Sequence, residues 1–106
     1  MIHGVYRYAV PSLDGKGKPL SSPLGAGHHM VVAYNKTGSK VSFLGVGTLA
    51  RVRVPVAELT FAEPVAFSPR RLAAGLDRRR KRYKRHGRRF AENTVKELVA
   101  ALRAGA

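Results

Sequence analysis

Between Arg70 and Arg89 the chain reads R-R-L-A-A-G-L-D-R-R-R-K-R-Y-K-R-H-G-R-R, eleven cations against one acid, Asp77. Seven of the eight residues from Arg78 to Arg85 are cationic. On a helix, Arg78/Arg82, Arg80/Lys84 and Lys81/Arg85 stand four apart, and each such like-charge pair costs roughly 0.2–0.5 kcal/mol. Nothing in folding alone offsets that repulsion, whereas an anionic partner neutralises it. Guanidinium forks match phosphate oxygens, and duplex nucleic acid carries one charge about every 1.7 Å. The chemistry expected here is phosphate neutralisation by Arg70, Arg71, Arg78, Arg79, Arg80, Lys81, Arg82, Lys84, Arg85, Arg88 and Arg89. Phosphate contacts position a protein without reading sequence, so DNA and RNA, single and double strands, all stay open. A membrane-surface helix needs bulky apolar residues opposite its charge; between Arg78 and Arg89 only Tyr83 offers any. A solvated charged face normally mixes signs, and this one does not.

Arg51 and Arg53 stand two apart in an alternating stretch and point the same way, with Arg7 a candidate neighbour across the sheet. Tyr6, Tyr8, Tyr34 and Phe43 lie in neighbouring strand-like segments. A basic face with aromatics can stack single-stranded bases, but a small barrel needs the same aromatics as core bulk, and the second reading is preferred. The histidines are His3, His28, His29 and His86. His28 and His29 are adjacent, so on a strand they face opposite sides and do not chelate one ion. With no cysteine and six acids, no metal and no other cofactor is expected. A histidine could act as a general base, but no partner for it is identifiable. Gly25-Ala26-Gly27 is not followed by a helix, so a phosphate-cradling glycine loop fails on context.

These residues need elements to hold them. Val5–Val10 alternates as a half-buried strand does, and Pro11 ends it. Residues 11–27 hold three Pro and four Gly and read as a long loop, a class that is usually functional or mobile. After His29 an apolar run to Tyr34 has the signature of a central strand. Asn35-Lys36-Thr37-Gly38 reads as a turn, Lys40–Leu44 as a strand, and Gly45 and Gly47 as a turn or bulge. From Thr48 to Val54, Ala50, Val52 and Val54 face inward and Arg51 and Arg53 outward. Val56–Leu59 suggests one helical turn, and 60–67 a last short strand interrupted by Pro64. The expectation is an α+β chain: residues 1–67 as a small SH3-like β-barrel of four or five short antiparallel strands, closed or nearly so. Residues 68–106 follow as a basic helical tail. Ser68-Pro69 starts it, and Leu72, Leu76 and Tyr83 would dock its first part. Beyond Arg78 charge surrounds the helix, which should project into solvent or onto a polyanion. Gly87 reads as a cap or kink. Phe90, Val95, Leu98, Val99 and Leu102 form an apolar stripe on a second helix, to pack on the barrel, on a second copy or on a protein partner.

Residues 1–59 resemble the PemK/MazF-type toxins, small basic SH3-like barrels that cut RNA. The matching features are Gly4 and Tyr6 in M-I-H-G-V-Y, the loop ending G-A-G-H-H before M-V-V-A-Y, and the strand that ends at Gly47-Thr48. The resemblance implies a barrel and, if any catalysis, an endoribonuclease with Thr48 and His29 as candidate residues. In that family an Arg-Pro opens the strand after the loop; here His29-Met30 stands in its place, so the catalytic Arg is missing. The basic tail also differs from the family's C-terminus, which pairs with an antitoxin.

The absence of cysteine excludes disulfides, thiolate catalysis and Cys-ligated zinc, and suits a reducing, cytoplasmic setting. No apolar run approaches the ~20 residues that cross a bilayer, and the N-terminus lacks the basic-then-apolar order of a secretory signal. The leading expectation is a non-enzymatic nucleic-acid-binding protein. The alternatives are a toxin-type endoribonuclease and a bacterial or phage adaptor that docks on an acidic protein surface.

Overall fold

The alternation near the N-terminus becomes β1 (Ile2–Val10) in a computed structural model that describes residues 2–35 and 40–105. β1 lies between β2 (Gly27–Tyr34) and β5 (Glu63–Val65). β2 pairs with β3 (Lys40–Gly45), and β3 with β4 (Arg51–Pro55). All pairings are antiparallel, in the order β4-β3-β2-β1-β5. A single helical turn, α1 (Glu58–Phe61), links β4 to β5. Two helices follow, α2 (Pro69–Arg85) and α3 (Glu92–Arg103). The α+β expectation holds.

Closure does not. β4 and β5 are the two edges, and among the described residues no pairing joins them. β5 is three residues long and contains Pro64, which lacks a ladder donor and is tolerated at an edge. Burial is achieved by covering the sheet instead. On one face Val5, Val32, Leu44 and Leu49 pack against Ala73, Leu76, Val95, Leu98, Val99 and Leu102 of α2 and α3. On the other, Val31, Ala33, Val41, Phe43 and Val54 pack with Leu24 of the long loop and Ala62 beyond α1. β2 is therefore buried on both sides from Val31 to Tyr34, which is why its sequence is a continuous apolar run.

Local chemistry sets the element ends. β4 begins at Arg51 rather than Thr48, because residues 46–49 form the turn after β3. Leu49 there takes φ 58°, and its N–H bonds Gly45 C=O at 2.8 Å. A left-handed non-glycine residue costs on the order of 1–2 kcal/mol, and Leu49 is wholly buried, a gain of roughly 1.5–3 kcal/mol. The helical turn expected at Val56–Leu59 starts two residues later, at Glu58. Past Asn35, the turn expected at Asn35–Gly38 lies outside the described residues.

The start of α2 is as its sequence implies: Ser68 Oγ accepts from Arg71 N–H at 3.4 Å, and Pro69 opens the first turn. Its end is a Schellman cap. Gly87 takes φ 70°, Arg88 N–H bonds Tyr83 C=O at 2.9 Å and Gly87 N–H bonds Lys84 C=O at 3.1 Å. The chain then turns into α3, so two helices form rather than one. The distal half of α2 does not project freely. Tyr83 O–H donates to Gly47 C=O in the β3–β4 turn, and α3 is held against α2 by their shared core.

Candidate nucleic-acid interface

The cations of α2 divide by face. On the side toward α3, Asp77 Oδ1 accepts from Arg80 at 2.8 Å, and Oδ2 pairs with Lys81 at 3.2 Å and Arg103 at 3.7 Å. Glu92 Oε1 pairs with Arg80 at 3.4 Å, Lys84 at 3.2 Å and Lys96 at 3.6 Å. Arg80 bridges the two acids with its side chain only 14% exposed. Arg79 Nη1 donates to Gly75 C=O at 3.4 Å. The hydrogen bond from Arg80 is the main cause that holds the Asp77 carboxyl below the ordinary carboxylate range. Glu92 is lowered likewise, first by its bond from Lys84.

The opposite face is bare of acids. Arg71, Arg78, Arg82 and Arg85 recur at i, i+7, i+11 and i+14 and are all exposed. Among the described residues none of the four joins an ion pair. They form a ridge about 21 Å long at 1.5 Å per residue. Arg70 is exposed at its start, and Arg88 and Arg89 beyond its end. The Arg88 guanidinium lies over the Tyr83 ring, 4.3 Å from its centroid.

The sheet adds Arg51 and Arg53 from β4. Arg51 Nη1 donates to Thr94 Oγ1 at 3.4 Å and lines a cavity of about 350 Å³ with Phe90, Asn93 and Thr94 at the start of α3. It also lines a second cavity, of about 430 Å³, with Arg53, Tyr8 and the loop residues Leu20–Pro23. Arg7 is not their neighbour in the sheet. It sits on β1, beyond β3 and β2, and its Nη2 pairs with Glu63 of β5 at 2.9 Å, because antiparallel register places Arg7 opposite Glu63.

Thr48 and His29 are each engaged locally. Thr48 Oγ1 accepts from Ala50 N–H at 3.2 Å, and Gly45 packs so closely that a Cβ there would stand 2.6 Å from that oxygen. His29 Nε2 bonds Gly25 C=O at 3.1 Å. His29 lines a cavity of about 440 Å³ with Arg7, His28, Met30, Glu63 and Val65, and Thr48 is not among its walls. Among the described residues no group of three His, Asp or Glu stands together. No described helix is long and apolar enough to cross a membrane.

Of the three places expected for the stripe (the barrel, a second copy or a protein partner), it packs on the sheet. Val95, Leu98, Val99 and Leu102 are buried against the sheet, and Phe90 packs on the same core, edge-on to Tyr83 at 6.1 Å between centroids. The sheet face under α2 and α3 is apolar, and the stripe covers it. Of the aromatics, Phe43 and Tyr34 are core. Tyr8 is intermediate: its ring meets Phe43 edge-on at 4.8 Å, and burial, with Glu58 nearby, pushes its hydroxyl pKa up.

Sequence reasoning missed the role of Glu92, which lies beyond the basic run and reaches it only through the fold. The Asp77 pairs at i+3 and i+4 were readable as helix spacing. Nothing in the sequence signalled that Leu20–Pro23 would lie along β4. Set against known proteins, the chain matches no family model, no curated protein sequence and no solved structure.

Proposed function

We propose that this protein binds nucleic acid, chiefly through the phosphate backbone, on the outer face of α2 and the connection that follows it. One observation carries this. Two acids pair with the cations on one side of α2, while the ridge Arg71, Arg78, Arg82 and Arg85 on the other is exposed and, among the described residues, in no ion pair. A fold that gathers its nearby acids on one face and leaves a 21 Å file of guanidinium groups on the other (the length from ~1.5 Å per residue) has a surface matched to a polyanion. Arg70, Arg88 and Arg89 extend the ridge. Arg51 and Arg53 make a second contact from β4. Arg80 belongs to the internal network and does not meet phosphate.

The finer reading of the body is an SH3-like barrel left open. It is supported by the strand order β4-β3-β2-β1-β5, the long loop after β1 and the single helical turn before β5. On that reading the likeness to PemK/MazF-type proteins extends to the scaffold. Its cleavage chemistry is left aside, because the cavity that His29 lines does not include Thr48 and each of the two side chains is bonded locally.

The test is affinity for matched DNA and RNA, single- and double-stranded, over a salt series. With about four to six phosphates neutralised, log K against log salt should slope at roughly −4 to −5 on a duplex. A shallow slope with weak binding overturns the proposal.

A further inference from the structure

Resting on nucleic-acid binding by α2, we infer that the cleft along the free edge of β4 is a second subsite, which holds an unpaired nucleotide of a single-stranded segment. Its volume of about 430 Å³ falls within the roughly 300–1,000 Å³ of small-ligand pockets. One wall is β4 from Arg51 to Val54, and the other is Tyr8 and Val10 of β1 with Leu20, Ser21, Ser22 and Pro23 of the long loop.

The lining has what one nucleotide requires. Tyr8, Val10, Leu20, Pro23, Val52 and Val54 supply an apolar slot for a base. Base–aromatic and base–apolar contact is tolerant of sequence because every base has a π-face. β4 is an edge strand, so it presents backbone N–H and C=O groups that no strand satisfies on that side. These can pair with the polar edge of a base. Arg51 and Arg53 stand at i and i+2, both exposed, and among the described residues neither is in an ion pair. Successive phosphates on either side of the base would meet them. Leu20 is 41% exposed, although it borders the cleft, so the slot is open at that end.

Arg51 ties this cleft to the ridge. The same side chain borders the cavity at the start of α3 and bonds Thr94, and α3 begins three residues after Arg89. A basic path therefore runs from α2 through its connection to β4. A duplex offers no free base to the slot, whereas an unpaired strand, bulge or frayed end does. An acidic peptide would satisfy the arginines but leave the flat apolar slot unused.

The experiment is fluorescence anisotropy with unstructured oligo-U and oligo-dT of about 12 nucleotides, within the ~4–16 that single-strand-binding folds cover, beside a hairpin duplex of equal phosphate count. Arg53→Gln and Leu20→Asp are compared with the triple variant Arg78→Gln/Arg82→Gln/Arg85→Gln, with circular dichroism checking that each is folded. Leu20→Asp should weaken single-strand binding roughly five- to tenfold and leave duplex binding unchanged, while Arg53→Gln should weaken the single strand by about the same factor and the duplex less, by the share of one phosphate contact. If both forms weaken equally, or neither does, the subsite is overturned, while binding on α2 stands so long as the triple variant still loses the duplex. If polyglutamate of equal charge displaces the single strand as well as oligo-U does, base recognition is overturned. Binding to neither form by the unmutated protein overturns the proposed function itself.

Discussion

Arg80 and Arg82 stand two residues apart on α2 and meet opposite surroundings. Arg80 turns inward, is mostly buried, and holds Asp77 and Glu92 together across two helices. Arg82 turns outward and, among the described residues, meets no acid. The same contrast divides the whole helix: Arg80, Lys81 and Lys84 against Arg71, Arg78, Arg82 and Arg85. A run of cations is thus not one site. The inner set is tied to acids: Asp77 and Glu92 are shared among Arg80, Lys81, Lys84, Lys96 and Arg103, and Arg80, the mostly buried member, is the one whose loss leaves both carboxylates short of a partner. The outer set, among the described residues, has no acid partner, and the proposed binding surface rests on that difference.

The comparison breaks most sharply on binding. Replacing Arg78, Arg82 and Arg85 together by Gln should lower the salt slope on a duplex by about 2.7, or 0.9 for each contact. Between 1 M and 0.1 M salt that is about 2.7 decades of affinity, close to 4 kcal/mol. The urea midpoint should hold or rise, because the ridge repels itself. Arg80→Met should do the reverse: stability falls by on the order of 1 kcal/mol, and the slope is kept. A slope that falls with Arg80→Met would merge the two faces.

What the sequence disclosed follows the same division between local and distant causes. Ser68-Pro69, Gly87 and the stripe Val95/Leu98/Val99/Leu102 were legible because caps and helical period act within a few residues. The alternation of Arg51 and Arg53 with Val52 and Val54 was legible for the same reason. The assignment of Arg80 to Glu92 was not, because twelve residues and a chain reversal separate them. Closure was misjudged because the sequence does not say that α2 and α3 will cover one face and Leu24 part of the other. The partner of Arg7 was missed because β5, short and interrupted by proline, carries too weak a pattern to place Glu63 opposite it. Strand register is a long-range property, and no single segment encodes it.

Acid should separate the faces by titration. Asp77 and Glu92 have carboxyl pKa values held below the ordinary range. Their share of stability is complete above the unfolded carboxylate pKa, about 4, and is lost as pH falls through the lower folded values. Urea midpoints of the unmutated protein should therefore drop below about pH 4. The gap between it and Asp77→Asn should be widest at neutral pH and shrink as the medium is acidified. A gap that stays constant down to about pH 2 would mean that Asp77 contributes by shape and not by charge.

The smallest effect lies at the border between the faces. Gly75 is buried in mid-helix, where glycine costs about 1 kcal/mol relative to alanine. A Cβ added there would meet only Arg79 Nη1, at 3.3 Å, the far end of a flexible side chain that now bonds Gly75 C=O. That guanidinium must give way by a few tenths of an ångström, which loosens its bond to Gly75 C=O. Gly75→Ala should therefore stabilise the protein by about 0.5–1 kcal/mol in urea unfolding. Because Arg79 is loosened, the duplex salt slope should also steepen by up to about 0.9. A stability gain with an unchanged slope would keep Arg79 with the inner set. A loss of stability would show that Arg79 is fixed where it lies and is as structural as Arg80.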